Sequence, residues 1–301
     1  MQTLYSLSRD SEINKNIALN QYRKKISLSS ELYLFVLFFF KKVVDQVFIE
    51  NDHRKSKFLP TDSDKIFSPK LGDNNLFKSL TDNVFFKKLF LKYAFNEKIP
   101  QEISRLIYLD FENNSSAYKE YLSKEKLNNE DHLEMFLHLF KYLCSNENFE
   151  EKIEDYFPNW IDDKSLIIGI VKKTFKALPF ENDFSQNFEP DPEATIDFGE
   201  GLLLFVIEND EKLKTLIIPI LQNWDIERVA VIDMILLKMA LSELLNFPSI
   251  PPKVTLNEFV EISKLYSTEK SKDFINGILD RLLKKLQNDG LIKKEGRGLM
   301  E

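Results

Sequence analysis

The chain has 301 residues, 43% of them hydrophobic and 30% charged, which is ordinary for a globular protein and enough for one large core or two modest ones. Its 8 Gly and 11 Pro exclude a collagen-like or broadly disordered chain, and the lone Cys144 excludes an internal disulfide framework or a multi-thiolate metal site. A formal net charge of −7 gives no overall pull on phosphate, so any nucleic-acid contact must come from a local basic surface.

The opening MQTLYSLSRDSE has neither the basic start nor the apolar core of a secretory signal. The longest apolar run, Leu32 to Phe40, falls well short of the roughly 20 residues that span a bilayer and reads as a buried helix. With the single cysteine, this predicts a cytoplasmic protein. A polar break follows from Asn51 to Asp73. Helical stripes then recur at Phe85, Phe86, Leu89, Phe90 and Tyr93, and at Leu133, Phe136, Leu137, Phe140 and Leu143. A further break lies at Asn113 to Ser116. A third stripe, Leu166, Ile167, Ile170, Val171 and Phe175, follows Asp162 and Asp163. No hairpin signal separates alternating runs, so the fold class is all-α.

An acidic, aromatic break from Pro179 to Pro192 ends at Asp191-Pro192, a helix start with Asp as cap and Pro in the first turn. Asp225 is expected to cap a helix running to about Leu245 that is apolar on most faces and therefore central. Pro248, Pro251 and Pro252 force an extended connection. Thr255-Leu-Asn-Glu258 matches a capping box for the next helix. In the last helix Phe274, Ile275, Ile278, Leu279, Leu282, Leu283 and Leu286 form one stripe, Gly277 suggests close helix packing, and Asp289-Gly290 is the stop. From Pro251 onward ten Lys or Arg face eight Asp or Glu, so the acidic excess lies upstream.

No catalytic constellation emerges, and the expectation is a non-enzyme without cofactor or metal. His132 and His138 are six residues apart and share no helix face, and Glu134 with His138 makes only two ligands. Gly199-Glu-Gly201 lacks the Lys-Ser/Thr of a nucleotide loop. Asp162-Asp163 reads as a helix cap, and Cys144 as a passive thiol at a helix end. The segment Tyr266 to Phe274 sets Ser267, Thr268, Lys270, Ser271 and Lys272 beside two aromatics. Such parts hold single-stranded RNA, but they equally describe a helix cap with Phe274 facing the core.

The C-terminal quarter closely resembles the NusB family. The resemblance is carried by Trp224, Asp233, Leu237, Ala240, Glu243 and Leu244, then by Ile250, Pro251, Lys253, Val254, Asn257 and Glu258. It ends in Thr268, Glu269, Ser271, Phe274, Asn276, Gly277, Leu279 and Asp280. At the other end Gln2-Thr3-Leu4-Tyr5 looks like the Gln-Ala-Leu-Tyr of that family's first helix, and Trp160-Ile-Asp-Asp163 is a weaker match. The resemblance implies a helical bundle of two subdomains, the N-terminal one enlarged. Residues 1–190 would be an N-terminal helical region, 191–290 the NusB-like domain and 291–301 a basic tail.

It also implies an antitermination factor. Such proteins bind the boxA element of ribosomal-RNA transcripts together with NusE, a small-subunit ribosomal protein, in a complex that helps RNA polymerase resist termination. Gln2, Thr268, Lys270, Ser271, Lys272 and Phe274 would face RNA, and Tyr5, Asp233 and Lys238 would lie toward NusE. Core packing for Tyr5 and an exposed polar stripe for Asp233 and Lys238 are the alternative readings. This chain has Lys270 where the family commonly has an acid, and Asp273 where it has a basic or neutral residue. The Arg-rich arm that precedes Gln-Ala-Leu-Tyr is missing, so a start upstream of Met1 is expected. Two alternatives stand beside this reading: a protein-only interaction module, and a relative of the NusB-like domain of ribosomal-RNA methyltransferases.

Overall fold

The computed structural model describes residues 1–10, 12–180, 191–221 and 229–299. Among the described residues the regular structure is helical throughout, without strands, as the periodicity predicts. The chain forms two compact units, one made of Met1–Ile26 with Pro190–Glu301, the other of Ser27–Glu189. The first 26 residues thus group with the C-terminal residues rather than with the rest of 1–190. Leu4 explains why: it is buried in the same core as Leu236 and Leu279.

Helix α1 (Gln2–Arg9) is followed by α2 (Lys15–Lys55), whose residues from Ser27 onward are the spine of the second unit. Every residue from Leu32 to Phe40 is buried, at most 8% exposed, so this stretch is apolar all round because it is enclosed all round. Around it lie α3 (Asp62–Ile66), α4 (Asn75–Asp82), α5 (Val84–Lys92), α6 (Phe95–Lys98) and α7 (Gln101–Asn114). Helices α8 (Ser116–Ser123), α9 (Asn129–Leu143), α10 (Glu147–Glu154) and α11 (Trp160–Lys176) complete the unit. The core is aromatic: the Phe40 ring lies 4.5 Å from Phe175 and 5.5 Å from Phe136, in the tilted and edge-on arrangements rings prefer. Side-chain caps define the helix starts, with Asn74, Asn83, Ser115 and Asn146 each accepting a first-turn N–H and Asn128 with Asp131 closing a capping box.

Several polar groups of this unit are spent on structure. Arg54 makes two bonds to the Glu112 carboxylate, at 2.7 and 2.8 Å, and stacks 4.0 Å over Phe67. His132 Nδ1 is 2.7 Å from the Tyr121 hydroxyl, and His138 Nε2 is 3.0 Å from the Ser115 hydroxyl. Burial pushes the Cys144 thiol up to about 11, which leaves little thiolate at neutral pH. No group of three metal-ligating side chains occurs among the described residues, and none of their helices is long and apolar enough to cross a membrane.

In the other unit a π-helical turn (Glu193–Glu200) leads into α12 (Gly201–Glu208), followed by α13 (Asp210–Ile217), α14 (Val231–Asn246), α15 (Pro252–Tyr266) and α16 (Glu269–Asn288). As expected, Asp191 opens the first of these, its carboxylate accepting the Glu193 N–H at 3.0 Å. Gly199 permits a close approach here. The Tyr22 hydroxyl donates to the Thr195 carbonyl at 2.9 Å, and a Cβ on residue 199 would collide with that hydroxyl. Arg23 grips Glu200 with two bonds, at 2.7 and 2.8 Å.

Helix α14 is central, packing against α1, α12, α13, α15 and α16. Its expected cap, Asp225, lies with Trp224 outside the described residues; the helix is described from Val231. Two local expectations are corrected. Thr255 does not cap α15, which already starts at Pro252 because proline is preset for a first helical position, and Thr255 lies buried inside the first turn. Gly277 makes no close approach: a Cβ there would meet nothing within 4 Å. Gly290, at φ +66°, ends α16 as expected. Beyond it the described residues fold back, with Lys294 donating to the Phe247 carbonyl at 2.9 Å and the Glu295 N–H to that of Pro248 at 3.0 Å.

Candidate nucleic-acid interface

The turn between α15 and α16 is built on one buried carboxylate. Asp233, in the first turn of α14 and 5% exposed, accepts the Ser267 hydroxyl at 2.6 Å and the Ser271 hydroxyl at 2.8 Å. Ser267 and Ser271 are themselves 2.8 Å apart, and Thr268 reaches Ser271 at 2.9 Å. A single charge thus organises three hydroxyls, and hydrogen bonds to an ionised acceptor are about twice as strong as neutral ones. The network sets where the chain leaves α15 and where α16 begins.

What the turn presents outward follows from the register of α16. Ser271 points in and is buried, while Thr268, Lys270 and Lys272 are exposed at the start of a 20-residue helix. The Thr268 side chain bonds Ser271 and does not cap the helix. The Ser271 N–H already donates to the Thr268 carbonyl at 2.9 Å; the earlier N–H groups, the positive end of the helix and two lysines lie together, the combination that attracts phosphate, with the exposed Asp273 beside them. Phe274 is half-buried and packs against the core of this unit, which favours the anchoring reading of that ring.

The remaining expected residues divide differently. Gln2 is exposed on α1 and accepts a bond from the Lys25 ammonium at 3.0 Å. Tyr5 is 39% exposed, with the Arg9 guanidinium 5.3 Å over its ring, so it is not a core residue. Asp233 and Lys238 do not form an exposed stripe. Lys238 is 8% exposed and ion-paired with Asp210, which also binds Lys214 at 2.8 Å. Burial works against the charge of Asp210, but hydrogen bonds from Lys214 and Lys238 hold its carboxyl below the ordinary carboxylate range.

Sequence reasoning missed Asp210 and Lys25. It also set Ser271 toward RNA beside Ser267, whereas both side chains are turned toward Asp233 and Ser271 is buried. The partners of Asp233 are 34 and 38 residues away in sequence, too far for local spacing to pair them.

Residues 169–284 match the model of the NusB family. Over 112 residues the chain is 43% identical to the transcription antitermination protein NusB of Salinibacter ruber, covering 37% of this chain and 69% of that protein. It is 41% identical over 105 residues to that of Chloroherpeton thalassium, 35% of this chain and 50% of the relative. Against the protein of the same name from Clostridium botulinum it is 37% identical over 121 residues, covering 40% of this chain and 91% of the relative. No solved structure matches the chain.

Proposed function

Because the chain belongs to the NusB family, we propose that it is a transcription antitermination factor that binds boxA-type RNA of ribosomal-RNA transcripts together with a NusE-type ribosomal protein. The observation that carries the RNA part is the α15–α16 turn, where Thr268, Lys270 and Lys272 stand exposed around the open N-terminus of α16. Lys270 and Lys272 neutralise phosphate, Thr268 and the N–H groups of residues 269 and 270 donate to it, and Ser271 with Asp233 keeps the turn in shape. Gln2 with Lys25 extends the polar surface on the α1 side. Of the three residues expected toward the protein partner, Tyr5 offers its side chain directly, while Asp233 and Lys238 act from inside by fixing neighbouring elements.

The test is binding of boxA-type and scrambled RNA, each with and without the ribosomal protein, across a salt series. Preference for boxA that strengthens with the partner supports the proposal, and Lys270→Ala and Lys272→Ala should each lower the salt slope by about 1. Equal binding of both RNAs in the presence of the partner overturns it. The net charge of −7 favours one second reading, a module that binds the ribosomal protein alone. That reading predicts partner binding of the same strength with or without RNA.

A further inference from the structure

The unit Ser27–Glu189 lies almost wholly outside the stretch that matches the NusB family, and its helix α5 carries a face that no other described residue covers. Val84, Lys87, Lys88 and Leu91 recur at i, i+3, i+4 and i+7 and so share one side of α5. The other side is spent on the core through the buried Phe86 and Phe90. Val84 is 63% and Leu91 81% exposed, one heptad apart, with the two lysines between them. Lys87 is bridged to Asp82 at 2.9 Å and Lys92 lies 5.2 Å over the Tyr93 ring, while Lys88 has no carboxylate partner among the described residues. From Val84 to Asn96 the sequence holds no acidic residue, in a chain whose net charge is −7.

We propose that this face docks an acidic amphipathic helix of a partner protein. Two aliphatic side chains of that helix, one heptad apart, cover Val84 and Leu91, and carboxylates between them meet Lys87 and Lys88. Val84 and Leu91 offer a single strand no ring to stack on, and the neighbouring Tyr93 is half-buried and stacked on Phe95. A lipid surface needs a broad apolar face to sink into, and α5 has turned its aromatic face inward. A protein helix with the opposite charge pattern satisfies both kinds of group at once. This inference does not depend on the RNA-binding proposal.

The probe is a synthetic helix-stabilised peptide with two leucines one heptad apart and glutamates between them, titrated against the full chain by fluorescence anisotropy. Its counterpart carries lysines in place of the glutamates. The acidic peptide is expected to bind and the lysine peptide not. The double substitution Lys88→Glu, Leu91→Ser should weaken binding about tenfold or more, since it removes one buried leucine and inverts one charge. Both sites are exposed, so an unchanged thermal melt is expected, and Lys87→Glu with Lys88→Glu should reverse the preference between the peptides. Failure of the acidic peptide to bind, or equal binding by the wild type and both variants, overturns the proposal. So does displacement of the peptide by polyuridine RNA or anionic lipid vesicles, or self-association of the chain that Leu91→Ser abolishes, which would make a second copy the occupant.

Discussion

Replacing Asp233 by alanine tests whether one buried carboxylate holds the α15–α16 turn. The side chain accepts the Ser267 and Ser271 hydroxyls at 2.6 and 2.8 Å and is 5% exposed. A net hydrogen bond to a charged group contributes about 1.5–3 kcal/mol. The two here share one acceptor, and Ser271 keeps Ser267 and Thr268 as partners when that acceptor is gone, so the sum falls short of additive. The expected loss is about 2–4 kcal/mol. Asp233→Asn, which can accept one hydroxyl and donate to the other, should lose about half as much. Asp233→Lys, which sets an unpaired charge in the same place, should lose about 3–5 kcal/mol. That last figure departs from the roughly 0.5 kcal/mol typical of an exposed site. Urea unfolding read through amide exchange in α14, α15 and α16 isolates this unit from the other. A value for Asp233→Ala within about 0.5 kcal/mol of the wild type would refute the argument.

Lys238→Met should destabilise the unit at neutral pH, and the sign of its pH dependence follows from Asp210. That carboxyl is held below its ordinary range, so its contribution is present above the unfolded value of about 3.9 and is lost as pH falls through the lower folded value. The gap between wild type and Lys238→Met in an acid titration of stability should therefore close below about pH 4; a constant gap means that Lys238 works by packing. Gly199→Ala should cost about 1–3 kcal/mol because its Cβ meets the Tyr22 hydroxyl, and adding Tyr22→Phe should recover part of the loss. No recovery in the double-mutant cycle would place the strain elsewhere. Phe274→Ala should lower the melting temperature together with RNA affinity; lost affinity with an unchanged melt would restore the stacking reading of that ring.

Periodicity made the helical class and the buried run Leu32 to Phe40 legible, because burial of that run depends only on its own composition. Helix starts were less so. The box at Thr255 to Glu258 has the right residues, but Pro251-Pro252 starts the helix four positions earlier, and a preset φ outweighs a side-chain hydrogen bond. The stripe on α11 was half right for a related reason. Ile167, Val171 and Phe175 are buried while Leu166 is 57% and Ile170 37% exposed, since an apolar run wider than the contact it makes leaves its edges in water.

The exposure of Lys270 and Lys272 could be read from the same register. The buried positions of α16, Ile275, Ile278, Leu279, Leu282 and Leu286, extend backward by one turn to Ser271, which is buried, and leave residues 270 and 272 off the stripe. The same extension works on α14. Asp233 precedes Leu237 by one turn and Ala240 by two, both fully buried, so it stands on the core face; Lys238 precedes the buried Leu241 by three. That helix has no free face among its middle turns, so a polar outer stripe had nowhere to lie. A charged residue on such a helix needs partners drawn from other elements, because an unpaired buried charge costs several kcal/mol. Those partners turn out to be the hydroxyls of the α15–α16 turn for Asp233 and the start of α13 for Lys238. A motif match identifies the residue type, and the register of the helix that carries it decides whether that side chain faces a partner or the core.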